Sequence, residues 1–256
     1  MTDLGALLDF GQAWLWHGFL VFLRVAAALA LMPGFGEQSV PARVKLVLAI
    51  AATLVVAPMI DPFDERNWQL STLAQFMVTE TAAGFLFGIG LRIFVMALQT
   101  AGAIAAQSTS LSQILGNSAE PMPAIGHVFV ISGLCLAMMS GLHVKFLAYI
   151  LQTYVLLPPG HLPSPGMISE WGVAQIAQAF SLAFQLSAPF VIVSLLYNLA
   201  LGAINRAMPQ LMVAFVGAPA ITAAGMVLLA LLVPAIMLVW LEAMNVYLSN
   251  PAGGLR

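Results

Sequence analysis

The sequence predicts an all-α integral membrane protein with about six apolar helices arranged as hairpins. Apolar residues make up 61% of the 256 residues and charged residues only 7%, whereas soluble domains are roughly 25% charged. The apolar residues form long runs without the alternation of barrel strands. Between Glu170 and Glu242 the only charged side chain is Arg206. Two stretches, each longer than the roughly 20 residues that cross a bilayer, therefore meet at one arginine.

Six apolar segments are each expected to be a helix, because a backbone in lipid must satisfy its hydrogen bonds within the segment. They are 13–32, 44–60, 73–106, 124–157, 173–201 and 211–241. The first follows an acidic start without lysine, so we expect a retained helix and not a cleaved signal. The third and fourth would each be roughly 50 Å long as one helix. This length predicts helices that extend beyond the lipid, or that are tilted or kinked.

The charges of the loops predict a topology. Arg43 and Lys45 lie in the first loop and Arg206 in the fifth, whereas the second loop, 61–71, is mainly acidic. By the positive-inside rule, loops one and five are expected to be cytoplasmic. Six crossings then place both termini outside.

Four ionisable side chains lie within the apolar segments, namely Arg24, Glu80, Arg92 and Lys145. Such residues are costly in hydrocarbon and need partners. Glu80 and Arg92 are separated by ~18 Å along a helix, too far to pair with each other. We hypothesise that Arg24 and Glu80 pair between helices. The residues leave two roles open, packing and register between helices or a proton or ion relay.

No enzymatic signature is present. The histidines lack the HExxH spacing, the chain has a single cysteine, Cys135, and no GxSxG turn occurs. We therefore expect no catalytic residues, no metal site and no cofactor. The 8 basic and 10 acidic residues form no cluster, which predicts no nucleic-acid partner. Gly84 and Gly88 form a GxxxG pair, which suits packing within the chain or contact with another subunit.

The segment Gln107 to Pro123 is polar yet nearly uncharged. Its centre combines apolar residues that can block a pore with a flexible Gly-Asn pair. By the residues alone it is either an ordinary surface loop or a plug that seals a pore. The candidate plug residues are Ser110, Leu111, Ser112, Gln113, Ile114, Leu115, Gly116 and Asn117.

The stretch NRAMPQLMVAFVGAP at 205–219 resembles the hairpin signature of the FliR family of flagellar export-gate proteins, which is related to the SctT family of virulence secretion. The positions that carry this resemblance are Arg206, Pro209, Gln210, Gly217 and Pro219. The start of the chain is similar to the first hairpin of the family, at Arg24, Pro33, Gly36 and Pro41. One departure is Ser140-Gly141-Leu142-His143, where the family commonly has Asp-Gly-His, which weakens any role for His143.

The resemblance implies one subunit of a closed export gate, built with FliP and FliQ, with FlhB and FlhA nearby. Residues 1–170 would be FliP-like and contain a plug loop at 107–123, and residues 171–256 would be a FliQ-like hairpin, within one cooperative unit. It also implies unfolded flagellar export substrates, contact with lipid in the bacterial inner membrane at the flagellar basal body, and an assembly largely on the periplasmic side. The alternatives are a virulence SctT subunit or a free-standing six-helix secondary transporter or channel, with Pro189 and Pro234 as helix breaks.

Overall fold

The computed structural model describes residues 2–63, 70–109, 124–208 and 213–251. Every regular element among these residues is helical, which confirms the all-α prediction. The helices are α1 (Thr2–Leu31), α2 (Ala42–Val56), α3 (Leu70–Thr109), α4 (Ala124–Met139), α5 (Leu142–Leu156), α6 (Pro165–Ala207) and α7 (Val213–Ser249), with a 3-10 turn at Ala57–Met59.

Five helices are long and apolar enough to cross a membrane, and the bent pair of α4 and α5 makes a sixth if it is one span. The predicted number of about six apolar helices is therefore confirmed. Several helices exceed the apolar segments, since α3 has 40 residues and α6 has 43 residues. At 1.5 Å per residue these helices are roughly 60 Å long, about twice the thickness of a hydrocarbon core.

The fourth segment, 124–157, is not one helix, so the expectation of a single helix there is wrong and the kinked alternative holds. α4 and α5 are bent by 77° at the break between them. Gly141 adopts a left-handed conformation with φ 79°, which residues other than glycine rarely adopt. Its N–H donates to the carbonyl of Met138 at 3.1 Å, which closes a turn and ends α4.

The described residues form two compact units by their internal contacts. The first lies within 1–93, 137–175 and 245–256, and the second within 94–136 and 176–244. In the first unit, α1 packs on α2 and approaches α3 closely. A Cβ atom at Gly84 would lie 2.7 Å from the Cβ of Ala27, and one at Gly88 would lie 3.1 Å from the Cα of Ala28. The GxxxG pair therefore serves packing within the chain.

The second unit is built around a close crossing of α3 and α4. A Cβ atom at Gly102 would overlap the backbone of Gly126, so the two helices touch through their main chains. Trp240 is fully buried, and its Nε1–H donates to the carbonyl of Phe94 at 2.9 Å. Small residues at the crossing let helix backbones meet without side chains between them.

Candidate functional site

The first unit contains a buried ion pair between α1 and α3. Arg24 and Glu80 are both fully buried, and Arg24 Nε donates to Glu80 Oε2 at 2.7 Å. A second guanidinium nitrogen, Nη2, donates to Glu80 Oε1 at 3.0 Å. The interaction is bidentate, the geometry in which an arginine binds a carboxylate most strongly. The hypothesis that these two residues pair between helices is confirmed.

Arg24 also holds the carboxyl end of α5. Its Nη1 donates to the carbonyl of Thr153 at 3.2 Å and to that of Leu157 at 3.0 Å. Its guanidinium lies 3.8 Å from the ring centroid of Tyr154. The carbonyls at the end of a helix carry partial negative charge, and that of Thr153 also accepts from the N–H of Leu157 at 2.9 Å. One cation therefore joins α1, α3 and the end of α5.

Glu80 in turn holds the turn that follows α5. The N–H of Gly160 donates to Glu80 Oε1 at 3.3 Å, and the carbonyl of Gly160 accepts from Gln75 Nε2 at 3.4 Å. Gly160 has φ 77°, and a Cβ there would lie 2.7 Å from the ring of Phe76. Both carboxylate oxygens are thus engaged, and the buried pair links α1, α3 and the turn after α5.

The second charged pair is at the turn between α1 and α2. Arg92 Nη1 lies 2.5 Å from Glu37 Oε1, and both side chains are partly exposed. Lys45 Nζ donates to the carbonyl of Gly36 at 3.0 Å. A Cβ at Gly36 would lie 2.6 Å from the carbonyl oxygen of Met32, so only glycine fits the turn.

The two prolines of the first hairpin flank this turn. Pro33 is buried, one residue after Met32. Pro41 precedes the first residue of α2 with φ −57°, close to the value that its ring fixes. Its carbonyl accepts from the N–H groups of Val44 and Lys45 at 3.0 and 3.2 Å, which begins the helix.

Lys145 is the remaining charge within the apolar segments. Its Nζ donates to Asn245 Oδ1 at 2.8 Å, which ties α5 to α7 within the first unit. Arg24, Glu80, Arg92 and Lys145 therefore all have partners among the described residues. His143, on the same helix as Lys145, is exposed.

The hairpin signature is only partly within the described residues. Arg206 lies in the last turn of α6 and is exposed, where a cation suits the helix dipole. Pro209 and Gln210 lie outside the described residues. Gly217 and Pro219 lie in α7. The candidate plug residues Ser110, Leu111, Ser112, Gln113, Ile114, Leu115, Gly116 and Asn117 also lie outside the described residues.

Sequence reasoning missed the polar groups that complete the first unit. The hydroxyl of Tyr149 donates to the carbonyl of Phe87 at 2.9 Å, and it lies 3.2 Å from the hydroxyl of Tyr247. His17 Nε2 lies 2.8 Å from the carbonyl of Ala57. A tyrosine within an apolar helix could have predicted such a contact, because a buried tyrosine hydroxyl usually has a hydrogen-bond partner.

The helices leave much apolar surface uncovered. Only 22% of the apolar windows of α2 and α7 and 28% of that of α6 are buried within the chain. The exposed residues include Val47, Leu54, Phe180, Phe184, Leu195, Leu199, Met226, Leu231 and Leu238. A surface of this extent is covered by lipid or by other polypeptides.

Residues 15–246 match the family described as bacterial export proteins, family 1. The chain is 34% identical over 229 residues to the flagellar biosynthetic protein FliR of Caulobacter vibrioides, a match that covers 87% of this chain and 90% of that protein. It is 30% identical over 233 residues to the protein of that name from Escherichia coli, covering 88% and 87% of the two chains. The protein of that name from Bacillus subtilis is 28% identical over 227 residues, covering 84% of each chain.

Proposed function

This chain belongs to the FliR family of bacterial export proteins, and from that premise we propose that it is a structural and gating subunit of the flagellar type III protein export gate. The observation that carries the proposal is the family match over residues 15–246. The relatives described above are all flagellar biosynthetic proteins. We therefore favour the flagellar apparatus over a virulence secretion system.

We propose that the gate is a hetero-oligomer with FliP and FliQ in the bacterial inner membrane at the flagellar basal body, near FlhB and FlhA, with much of it on the periplasmic side. Residues 1–170 are the FliP-like part and residues 171–256 the FliQ-like hairpin. The largely uncovered α2, α6 and α7 support this proposal, because sibling helices would bury part of their apolar surface. The alternative of a free-standing transporter relied on helix breaks at Pro189 and Pro234. It is less well supported, because α6 and α7 continue through these prolines as unbroken helices.

The assembly is tested by expressing the chain with and without FliP. A gate subunit is expected to be unstable alone and to co-purify with FliP and FliQ as one particle. The control is a membrane protein of similar size expressed from the same vector. A monodisperse monomer in detergent that is equally stable without FliP would contradict the proposal and favour the transporter.

We propose that the segment 110–117 is a plug in the conduit for unfolded flagellar proteins. In the sequence, the segment lies between α3, which ends at Thr109, and α4, which begins at Ala124. The contact of these helices at Gly102 and Gly126 supports the proposal, because it holds the described helices on either side of the segment against each other. Apolar groups in a plug exclude water and ions, and an arriving substrate or a shifted partner displaces them.

The plug is tested by deleting Ser110 to Asn117, and in a second variant by replacing Leu111, Ile114 and Leu115 with serine. Both variants are expected to assemble with FliP but to make cells leaky to small ions or molecules. Leu162 is half-exposed in the turn after α5, so Leu162→Ser is a control that is expected to leave permeability unchanged. Normal assembly of both plug variants with unchanged permeability would refute the plug.

A further inference from the structure

α6 has one outward face of amide, hydroxyl and small side chains within a membrane-length helix. We call this face the polar stripe and define it by Ala177, Gln178, Ser181, Gln185 and Ala188. With 3.6 residues per turn, these five positions fall within about 100° of the helix circumference. All are exposed except Ala188, which is half-buried. Gln185 Nε2 donates to Ser181 Oγ at 3.3 Å, so the stripe is partly organised already.

Lipid is a poor occupant for this face. An amide without a partner in hydrocarbon costs several kcal/mol, and the described residues provide no hydrogen-bond partner for the side chain of Gln178. Phe180 and Phe184, 54% and 61% exposed, lie on the adjacent face and suit lipid well. The opposite face of α6 is occupied by the core of the second unit, through Leu182 and Leu186.

Water is also a poor occupant. Beyond Ala188 the same side of α6 continues with Ile192, Leu195 and Leu199, which are all exposed and apolar. Contact of these apolar side chains with water would be unfavourable. The polar stripe ends half-way along the helix. Its small members, Ala177 and Ser181, lie four positions apart, a spacing that lets a second helix approach closely.

We propose that the polar stripe binds a transmembrane helix of a neighbouring subunit, one that presents amide or hydroxyl side chains to Gln178, Ser181 and Gln185. The proposal rests on the proposed function, since it needs a neighbouring subunit in the membrane. Amide side chains both donate and accept, so they pair with the same groups on a partner helix and fix its register.

The first test is Gln178→Leu with Gln185→Leu, in cells that produce the whole export gate. The amount of chain that co-purifies with tagged FliP is measured at several expression levels. Loss of the interhelical hydrogen bonds is expected to weaken association about tenfold. The matched control is Phe180→Leu with Phe184→Leu, on the adjacent apolar face, for which a change of less than about twofold is expected for a lipid-facing surface. A face covered by lipid predicts the opposite, namely unchanged or stronger association, and that result would overturn the proposal.

The second test places single cysteines in a Cys135→Ser chain. When Gln178→Cys, Ser181→Cys or Gln185→Cys is modified with a membrane-permeant benzophenone maleimide and illuminated, it is expected to crosslink to another chain. The unmodified cysteines are expected to resist a membrane-impermeant maleimide. Labelling by that reagent would instead assign the stripe to an aqueous wall and overturn the proposal. The Cys135→Ser chain itself separates the two hypotheses. If it restores motility and co-purifies with FliP while the stripe fails both tests, only this inference is wrong, whereas a chain that never associates with FliP refutes the proposed function.

Discussion

The buried pair of Arg24 and Glu80 gives the sharpest quantitative prediction. Arg24→Met would leave the buried carboxylate of Glu80 without its cation, while the N–H of Gly160 still donates to it at 3.3 Å. Glu80→Leu would leave a fully buried guanidinium whose acceptors are the two carbonyls at 3.2 and 3.0 Å. An uncompensated buried charge costs about 3–5 kcal/mol, so each single substitution is expected to destabilise the chain by that amount.

The double variant is expected to be more stable than either single variant. Replacing both partners with apolar side chains removes the unpaired charge, which by itself is often neutral. Here the substitution also removes the donors to the end of α5 and the acceptor of Gly160, so we expect a cost of about 1–3 kcal/mol. The two single costs sum to at least about 6 kcal/mol and the double cost is at most about 3 kcal/mol. The coupling energy is therefore expected to be at least about 3 kcal/mol.

The assay is a double-mutant cycle on the free energy of unfolding, measured on this chain co-purified with FliP and FliQ in mixed micelles titrated with SDS, and followed through a fluorophore attached to this chain. Arg24→Lys is a useful fourth variant, because a single ammonium cannot make the bidentate contact and reach both carbonyls. Additive effects of the two single substitutions, or single effects below about 0.5 kcal/mol, would refute the reasoning that this ion pair joins three helices.

Three further substitutions are tested by the same titration. Gly84→Ala is expected to lower the free energy of unfolding by about 1–3 kcal/mol, because a Cβ there overlaps α1. The control Gly172→Ala has open space around it and is expected to raise the free energy of unfolding by up to about 1 kcal/mol. Equal effects of the two substitutions would contradict the close packing of α1 and α3. Gly141→Ala is expected to cost about 1–2 kcal/mol because φ is 79°, and Gly141→Asn less, an order whose reversal would count against backbone strain. Glu37→Gln breaks the partly exposed pair with Arg92 and is expected to cost less than about 1 kcal/mol, with the loss shrinking at high salt; a loss independent of salt would indicate another role for Glu37.

Much of the fold could be predicted from the sequence. The bilayer core has no water to satisfy backbone N–H and C=O groups, so few backbone structures can span it. Long uncharged runs such as the one on either side of Arg206 are predictable as helices for this reason. The bend at Gly141 was harder to predict from the sequence. Its apolar surroundings resemble the middle of a helix, and glycine in such a sequence is also compatible with a straight helix.

The candidate site divides in a similar way. That Arg24 and Glu80 need partners follows from their chemistry in an apolar segment, and the sequence suggested their pairing. The contacts with Thr153, Leu157 and Gly160 could not be foreseen, because they are made by main-chain groups that every residue carries. The polar stripe was also missed, since two glutamines and a serine in a 43-residue helix are unremarkable until the buried side of that helix is known.

The sequence by itself determined that the chain is a membrane protein, that it is helical, where its costly charges lie and, through its motifs, its family. The tertiary structure decided which helices share those charges, where the fourth segment bends, and which side of α6 lacks cover from the chain itself. The physical reason is that hydrophobicity and charge act on each segment separately, whereas pairing and burial depend on distances between segments that are remote along the chain.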